Sequence, residues 1–127
     1  MVNLEEEARK FMQSKNKSMI TADEYQEKAK ATAIYPKKDA LPYLALGLGS
    51  EAGEVSGKVK KLIRDGPDKR PLTWREDISY EIGDVLWYCS ELADNINYTL
   101  GMIAAQNLSK LQKRKDKGTL GGSGDTR

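Results

Sequence analysis

LALGLGSEAGEVSGKVKKL, residues 44–62, and ISYEIGDVLWYCSELADNI, residues 78–96, decide the fold. At about 100° per residue, Leu44, Leu48, Ala52, Val55, Val59 and Leu62 gather on one helical stripe. Ile78, Ile82, Val85, Cys89, Leu92 and Ile96 do the same in the second stretch. Within them, Glu51-Ala-Gly-Glu54-Val55 and Glu81-Ile-Gly-Asp84-Val85 stand thirty positions apart. Each acid pair is spaced i, i+3, so its side chains leave one helix face about 60° apart. Glu51 lies about 60° to one side of Leu48, and Glu54 about 120° to the same side. Glu81 and Asp84 repeat those offsets from Ile78. The two patterns superimpose with a shift of thirty. They predict two antiparallel helices in a pseudo-twofold hairpin, both acid pairs meeting at one pocket edge. One duplication falls short of the three or more units of a solenoid.

An isolated E-x-x-E is most often a solvated helix face. Here both pairs border the apolar stripe, where acids are rare unless something compensates them. Clustered carboxylates repel unless a cation neutralises them. Four such oxygens suit hard ions, Mg²⁺ or Mn²⁺, and hence phosphate chemistry. Gly53 and Gly83 sit inside the motifs at a cost near 1 kcal/mol each in a helix interior. They point away from the stripe, so another helix or subunit is expected to approach there.

The rest of the chain reads as helix and loop, with no strand. Residues 3–14 place acids early and bases late, as the helix dipole favours, and form a short helix in an N-terminal extension, 1–20. Thr21-Ala-Asp-Glu24 is a capping box opening a helix to about Ile34, which Tyr35-Pro36 ends. Residues 37–42 read as loop. The first acidic helix begins near Pro42 or Tyr43 and runs to Arg64; Asp65-Gly66-Pro67 stops it. Thr73-Trp-Arg-Glu76 reads as a second capping box, and its helix ends near Asn95 to Asn97. Thr99 caps a last helix reaching Lys115. The main domain is therefore 21–117, and the glycine-rich 118–127 reads as a flexible tail.

Several polar residues suit a phosphate site. Lys58 and Lys61 lie one and two turns beyond the glutamates on the same flank, and Arg64 follows. Asn107, Lys110 and Arg114 share a face of the last helix. Solvated or snorkelling bases are the alternative for any one of them; as a set they would offset triphosphate charge. Tyr88 and Asn95 share the acid flank and either line a nucleoside pocket or simply pack. Trp87, nearly opposite the stripe, is expected against another helix or a partner chain.

Composition excludes several classes. The 127 residues suit one domain with a modest core. The 21 bases and 19 acids leave a net charge of +2, which does not favour bulk nucleic-acid binding. No histidine is present, so His-based catalysis and His-ligated zinc are out. Cys89 is alone and on the stripe, a core residue with no disulfide partner. Neither a signal peptide nor a membrane-length apolar run appears, and a cytoplasmic setting is expected, that of the host if the gene is viral.

GLGSEAGEVSGKVKKLIRDG, YEIGDVLWYCSELA and NLSKLQKRKDKGTLGGSGDTR together resemble the MazG-like nucleoside triphosphate pyrophosphohydrolases, members of the all-α NTP pyrophosphatase superfamily. The resemblance covers about residues 23–127 and includes the pattern E-x-x-E, a gap, then E-x-x-D. It implies an all-α bundle of four to five helices whose core is completed by dimerisation, as a homodimer or a dimer of dimers. It implies a hydrolase cutting the α–β phosphoanhydride of a nucleoside triphosphate, a purine deoxynucleotide such as dGTP being the first expectation. Glu51, Glu54, Glu81 and Asp84 match the metal ligands, for two or more Mg²⁺ or Mn²⁺, with Glu54 also the candidate general base. Lys58 or Lys61, Asn107, Lys110 and Arg114 match polar positions near substrate. Two alternatives stand: a superfamily relative acting on phosphoribosyl-ATP or (p)ppGpp, and a non-catalytic partner-binding module whose acids merely solvate it.

Overall fold

The computed structural model describes Asn3, Glu6, Arg9, Lys10 and residues 19–127. Four α-helices and two short 3-10 turns occur among them, and no strand: α1 Ala22–Lys30, α2 Ala40–Asp65, α3 Trp74–Asn95 and α4 Leu100–Asp116. The helix expected over residues 3–14 falls mostly outside the described residues.

Local chemistry explains most boundaries. The Thr21 hydroxyl accepts from Glu24 N at 3.2 Å and the Glu24 carboxylate accepts from Thr21 N at 2.7 Å, closing the expected capping box. α1 stops at Lys30, four residues short of the expected Ile34, because the Thr32 backbone N–H and hydroxyl both turn back to Ala29 O. Residues 37–39, read as loop, form a 3-10 turn into α2. Pro42 sits in the first turn of α2, where no intrahelical N–H partner is lost. Gly66, at φ 76°, ends the helix. Thr73 precedes α3 as expected, but forms no capping box: its hydroxyl donates to Asp77 Oδ2 at 3.0 Å. The chain reverses after α3 through Asn97 in the left-handed region, φ 62°. Thr99 then caps α4, accepting from Met102 N.

The α2–α3 hairpin is the frame, and α1 packs across α3 and the start of α4. Gln26 is buried at that junction. Its amide donates to Tyr98 O at 3.0 Å and Ser90 O at 3.4 Å, and its carbonyl accepts from Leu100 N at 2.9 Å. Asp23 accepts from Gly101 N, and a Cβ on Gly101 would lie 2.8 Å from that carboxylate. Trp87, expected against another helix or a partner chain, instead meets the segment after α1: its indole donates to Thr32 Oγ1 at 2.8 Å and its ring meets Tyr35 edge-on. Tyr35 stacks on Tyr43 and donates to the buried Glu91 at 2.7 Å.

Among the described residues the buried apolar side chains are Ala29, Ala40, Leu44, Ala93 and Leu100, while Leu46, Ile63, Ile82 and Leu108 are exposed. The expected tail also differs from its reading as free coil. Arg114 donates to Gly124 O and Asp125 O, and Arg127 to Thr119 O, folding residues 118–127 back onto the end of α4.

Candidate metal centre

Where α2 and α3 cross, Glu51, Glu81 and Asp84 each offer a carboxylate oxygen within 4.8 Å of the others. Glu51 and Glu81 are half-buried and Asp84 is exposed. The register of the crossing is set one turn away. At Gly47 a Cβ would stand 2.0 Å from the Tyr88 ring, so only glycine lets that ring lie on the α2 backbone. Tyr88 on Gly47 puts Glu51 opposite Asp84 and Glu81. The close approach expected at Gly53 and Gly83 is not made within this chain; nothing lies within 4 Å of a Cβ at either position.

The electrostatics are those of a site short of positive charge. Partial loss of water, then the charges of Asp84, Glu81 and Glu54, push the Glu51 carboxyl above its ordinary range. Lys58 Nζ, 3.7 Å from Glu81 Oε1, is the nearest relief. An all-oxygen donor set without histidine or thiolate fits Mg²⁺ or Mn²⁺. Glu54 lies one turn further along α2, exposed and outside the triad, though near enough to bias Glu51. Burial raises the Cys89 thiol, which suits a core residue more than a reactive one.

The other expected site residues divide. Lys58 and Lys61 line a recess of about 210 Å³ at the α2–α3 turn. Arg64 does not join them; it pairs with Asp65 at 2.8 Å and borders an apolar groove with Val55, Val59 and Ile63. Tyr88 packs on Gly47 and lines a shallow pocket containing Glu51. Asn95 lies at the other end of α3, in a recess with Lys30, Lys37 and Asp94. Asn107 is exposed on α4. Lys110 and Arg114 turn to Asp125 of the tail, at 3.6 and 3.4 Å. Because Gln26 and Asp23 fasten the start of α4 to α1, α4 packs on α1 and α3 and not on α2; within one chain its polar face does not reach the triad. Sequence reasoning passed over Lys69, Arg70 and Trp74, which complete the recess of Lys58 and Lys61. Their signal was two bases at the end of what read as a polar loop, followed by the tryptophan of Thr73-Trp-Arg-Glu76.

Residues 41–119, which contain the triad and both helices that build it, match the model of the MazG nucleotide pyrophosphohydrolase domain. The chain belongs to this family. MazG membership accounts for the all-helical architecture. The chain is also 43% identical over 111 residues to the Gene 37 protein of Mycobacterium phage L5, a match covering 83% of this chain and 97% of that protein. No solved structure matches this MazG chain. No helix among the described residues is long and apolar enough to cross a membrane.

Proposed function

We propose that this MazG chain is a metal-dependent hydrolase that cleaves the α–β anhydride of a nucleoside triphosphate, giving the monophosphate and pyrophosphate. The convergence of Glu51, Glu81 and Asp84 within 4.8 Å, in a chain of this family, carries the reading. These three would hold the divalent cation; Glu54, expected as a fourth ligand, stands at the edge of the set. When bound, the cation supplies charge neutralisation to phosphate oxygens and lowers the pKa of an attacking water. The protein's residues do the rest. Lys58, beside Glu81, offers a positive charge to the phosphates as they arrive. Glu54, exposed and outside the triad, is free to take the proton of the attacking water. Neither a Ser-His nor a Cys-His pair exists to form a covalent intermediate.

The exposed Leu46 and Ile63 on α2 and Leu108 on α4 support a homodimer or homotetramer that covers these faces. A partner chain is then also the route by which Asn107, Lys110 and Arg114 would meet a triad they do not reach alone. The phage relative supports a setting in the host cytoplasm. The first substrate to test is dGTP, among the four deoxynucleotides, GTP, ppGpp and phosphoribosyl-ATP, each with Mg²⁺ and with Mn²⁺. Pyrophosphate from a purine deoxynucleotide is expected; no pyrophosphate from any of them would leave the acids as a solvated face of a binding module.

A further inference from the structure

Two dissimilar cavities flank the acid triad along the hairpin. Toward the α2–α3 turn lies the recess of about 210 Å³, which has an apolar floor of Leu62 and Ile78 and carries Lys58, Lys61, Lys69 and Arg70. Its two acids are engaged: Asp65 with Arg64 at 2.8 Å, and Asp77 with the Thr73 hydroxyl at 3.0 Å. The Trp74 ring in its wall is covered by the guanidiniums of Arg70 and Arg75, at 4.8 and 4.5 Å, which leaves it poorly placed to stack a base. On the opposite side of the triad lies the pocket of Tyr43, Leu46, Gly47, Ser50, Glu51 and Tyr88. It has aromatic and small apolar walls, and no basic residue lines it. A polyphosphate laid there would have only the ion held by the triad, and no side-chain cation, to offset its charge.

Lys58 joins the two halves, for it touches Glu81 at 3.7 Å and lines the recess. Lys58 therefore leans from the recess toward the triad, and Lys61 stands three residues further along α2 in the recess wall, near Asp65. On α3, Asp77 and Trp74 stand four and seven residues before Glu81, about 6 and 10 Å along the axis. The recess thus begins where phosphates beyond the scissile bond would emerge from the triad.

We propose that the substrate lies along the hairpin with one polarity: the leaving pyrophosphate is received by Lys61, Lys69 and Arg70 in the turn recess, and the nucleoside rests against Tyr43 and Tyr88. This rests on the functional reading above and adds to it a leaving-group subsite that selects for a triphosphate. The attacking water adds to the α-phosphorus, the α–β bridging P–O bond breaks, and the departing pyrophosphate leaves with its new negative charge among three cations.

The test separates the two ends of the substrate. Inorganic pyrophosphate and deoxyguanosine monophosphate are titrated separately by calorimetry, with Mg²⁺ present, into wild type, Lys69→Ala/Arg70→Ala and Tyr43→Ala, all as the full chain. The double variant is expected to weaken pyrophosphate binding about tenfold or more while leaving monophosphate binding within about twofold. Tyr43→Ala is expected to do the reverse. Lys69 and Arg70 are exposed, and an unchanged thermal midpoint verifies that the double variant folds; should Tyr43→Ala not fold, the double variant alone decides. If wild type releases pyrophosphate from a triphosphate but the double variant weakens the monophosphate instead, or both ligands equally, or neither, the polarity is wrong and the functional reading stands. If wild type binds neither ligand and releases no pyrophosphate from any nucleotide, both fall.

Discussion

Glu51→Gln removes one negative charge from the triad and keeps the side chain's shape. The wild-type oxygens lie within 4.8 Å of each other. At that separation one pair of unit charges repels by about 0.9 kcal/mol in a water-like dielectric and about 3.5 kcal/mol at an effective dielectric of 20. Asp84 is exposed and Lys58 already offsets Glu81, so the lower figure applies. Glu51 faces two such partners, which makes the relief about 1–2 kcal/mol at low ionic strength. Without metal, the variant should therefore unfold at a temperature several degrees higher than wild type. With Mn²⁺ the order should invert. Wild type gains about 2.7 kcal/mol at a free concentration one hundred times Kd, and Glu51→Gln, having lost a ligand, gains far less. Differential scanning fluorimetry at pH 8 and one protein concentration, with and without Mn²⁺, reads both signs. A variant less stable than wild type without metal, or one that Mn²⁺ stabilises as strongly as wild type, would refute the reasoning.

Gly47→Ala should cost about 1–3 kcal/mol, because its Cβ would lie 2.0 Å from the Tyr88 ring; urea denaturation measures the loss, and a neutral effect would remove the close packing as the origin of the helix register. Tyr35→Phe takes the donor from the buried Glu91, which is 1% exposed, and should cost about 1–2 kcal/mol at neutral pH. Burial, then the hydrogen bond to Glu91, raises the Tyr35 phenol to about 12. A raised folded-state value means stability fully present below the ordinary value of 10.0 and lost as pH climbs through about 12. The stability gap between wild type and Tyr35→Phe should thus close over that window, and a constant gap would argue against the pairing. Sedimentation equilibrium should find a dimer or tetramer at micromolar concentration; a monomer there would contradict the reading of the exposed apolar faces.

Periodicity was enough to place α2 and α3, to make them a hairpin and to select three of the four acids that were expected to converge, because an apolar stripe fixes which flank each acid occupies. The caps at Thr21 and Thr99 were legible for the same local reason: a hydroxyl finds a backbone N–H two or three residues away. Two misreadings were local competitions between neighbouring partners, and the others were set by tertiary contacts. Thr73 has the sequence of a capping box, yet its hydroxyl prefers the Asp77 carboxylate. α1 stops early because Thr32 turns back on Ala29. The contact glycine is Gly47, outside both motifs, because Tyr88 rather than a helix backbone makes the approach. A helical wheel aligned Asn107, Lys110 and Arg114 correctly on one face of α4, but it carries no information on where that helix docks. Their place beside Asp125 follows from the Gln26 and Asp23 junction and from a tail drawn in by arginines. The cationic recess escaped notice because its parts come from two helices and the turn between them, and only the folded hairpin assembles them.

The central claim is that carboxylates from two neighbouring helices grip one divalent ion. Anomalous diffraction from crystals soaked in Mn²⁺ tests it most directly. A manganese peak within coordination distance of Glu51, Glu81 and Asp84 is the result expected; ordered triad side chains with manganese absent, or bound only elsewhere, would contradict the account.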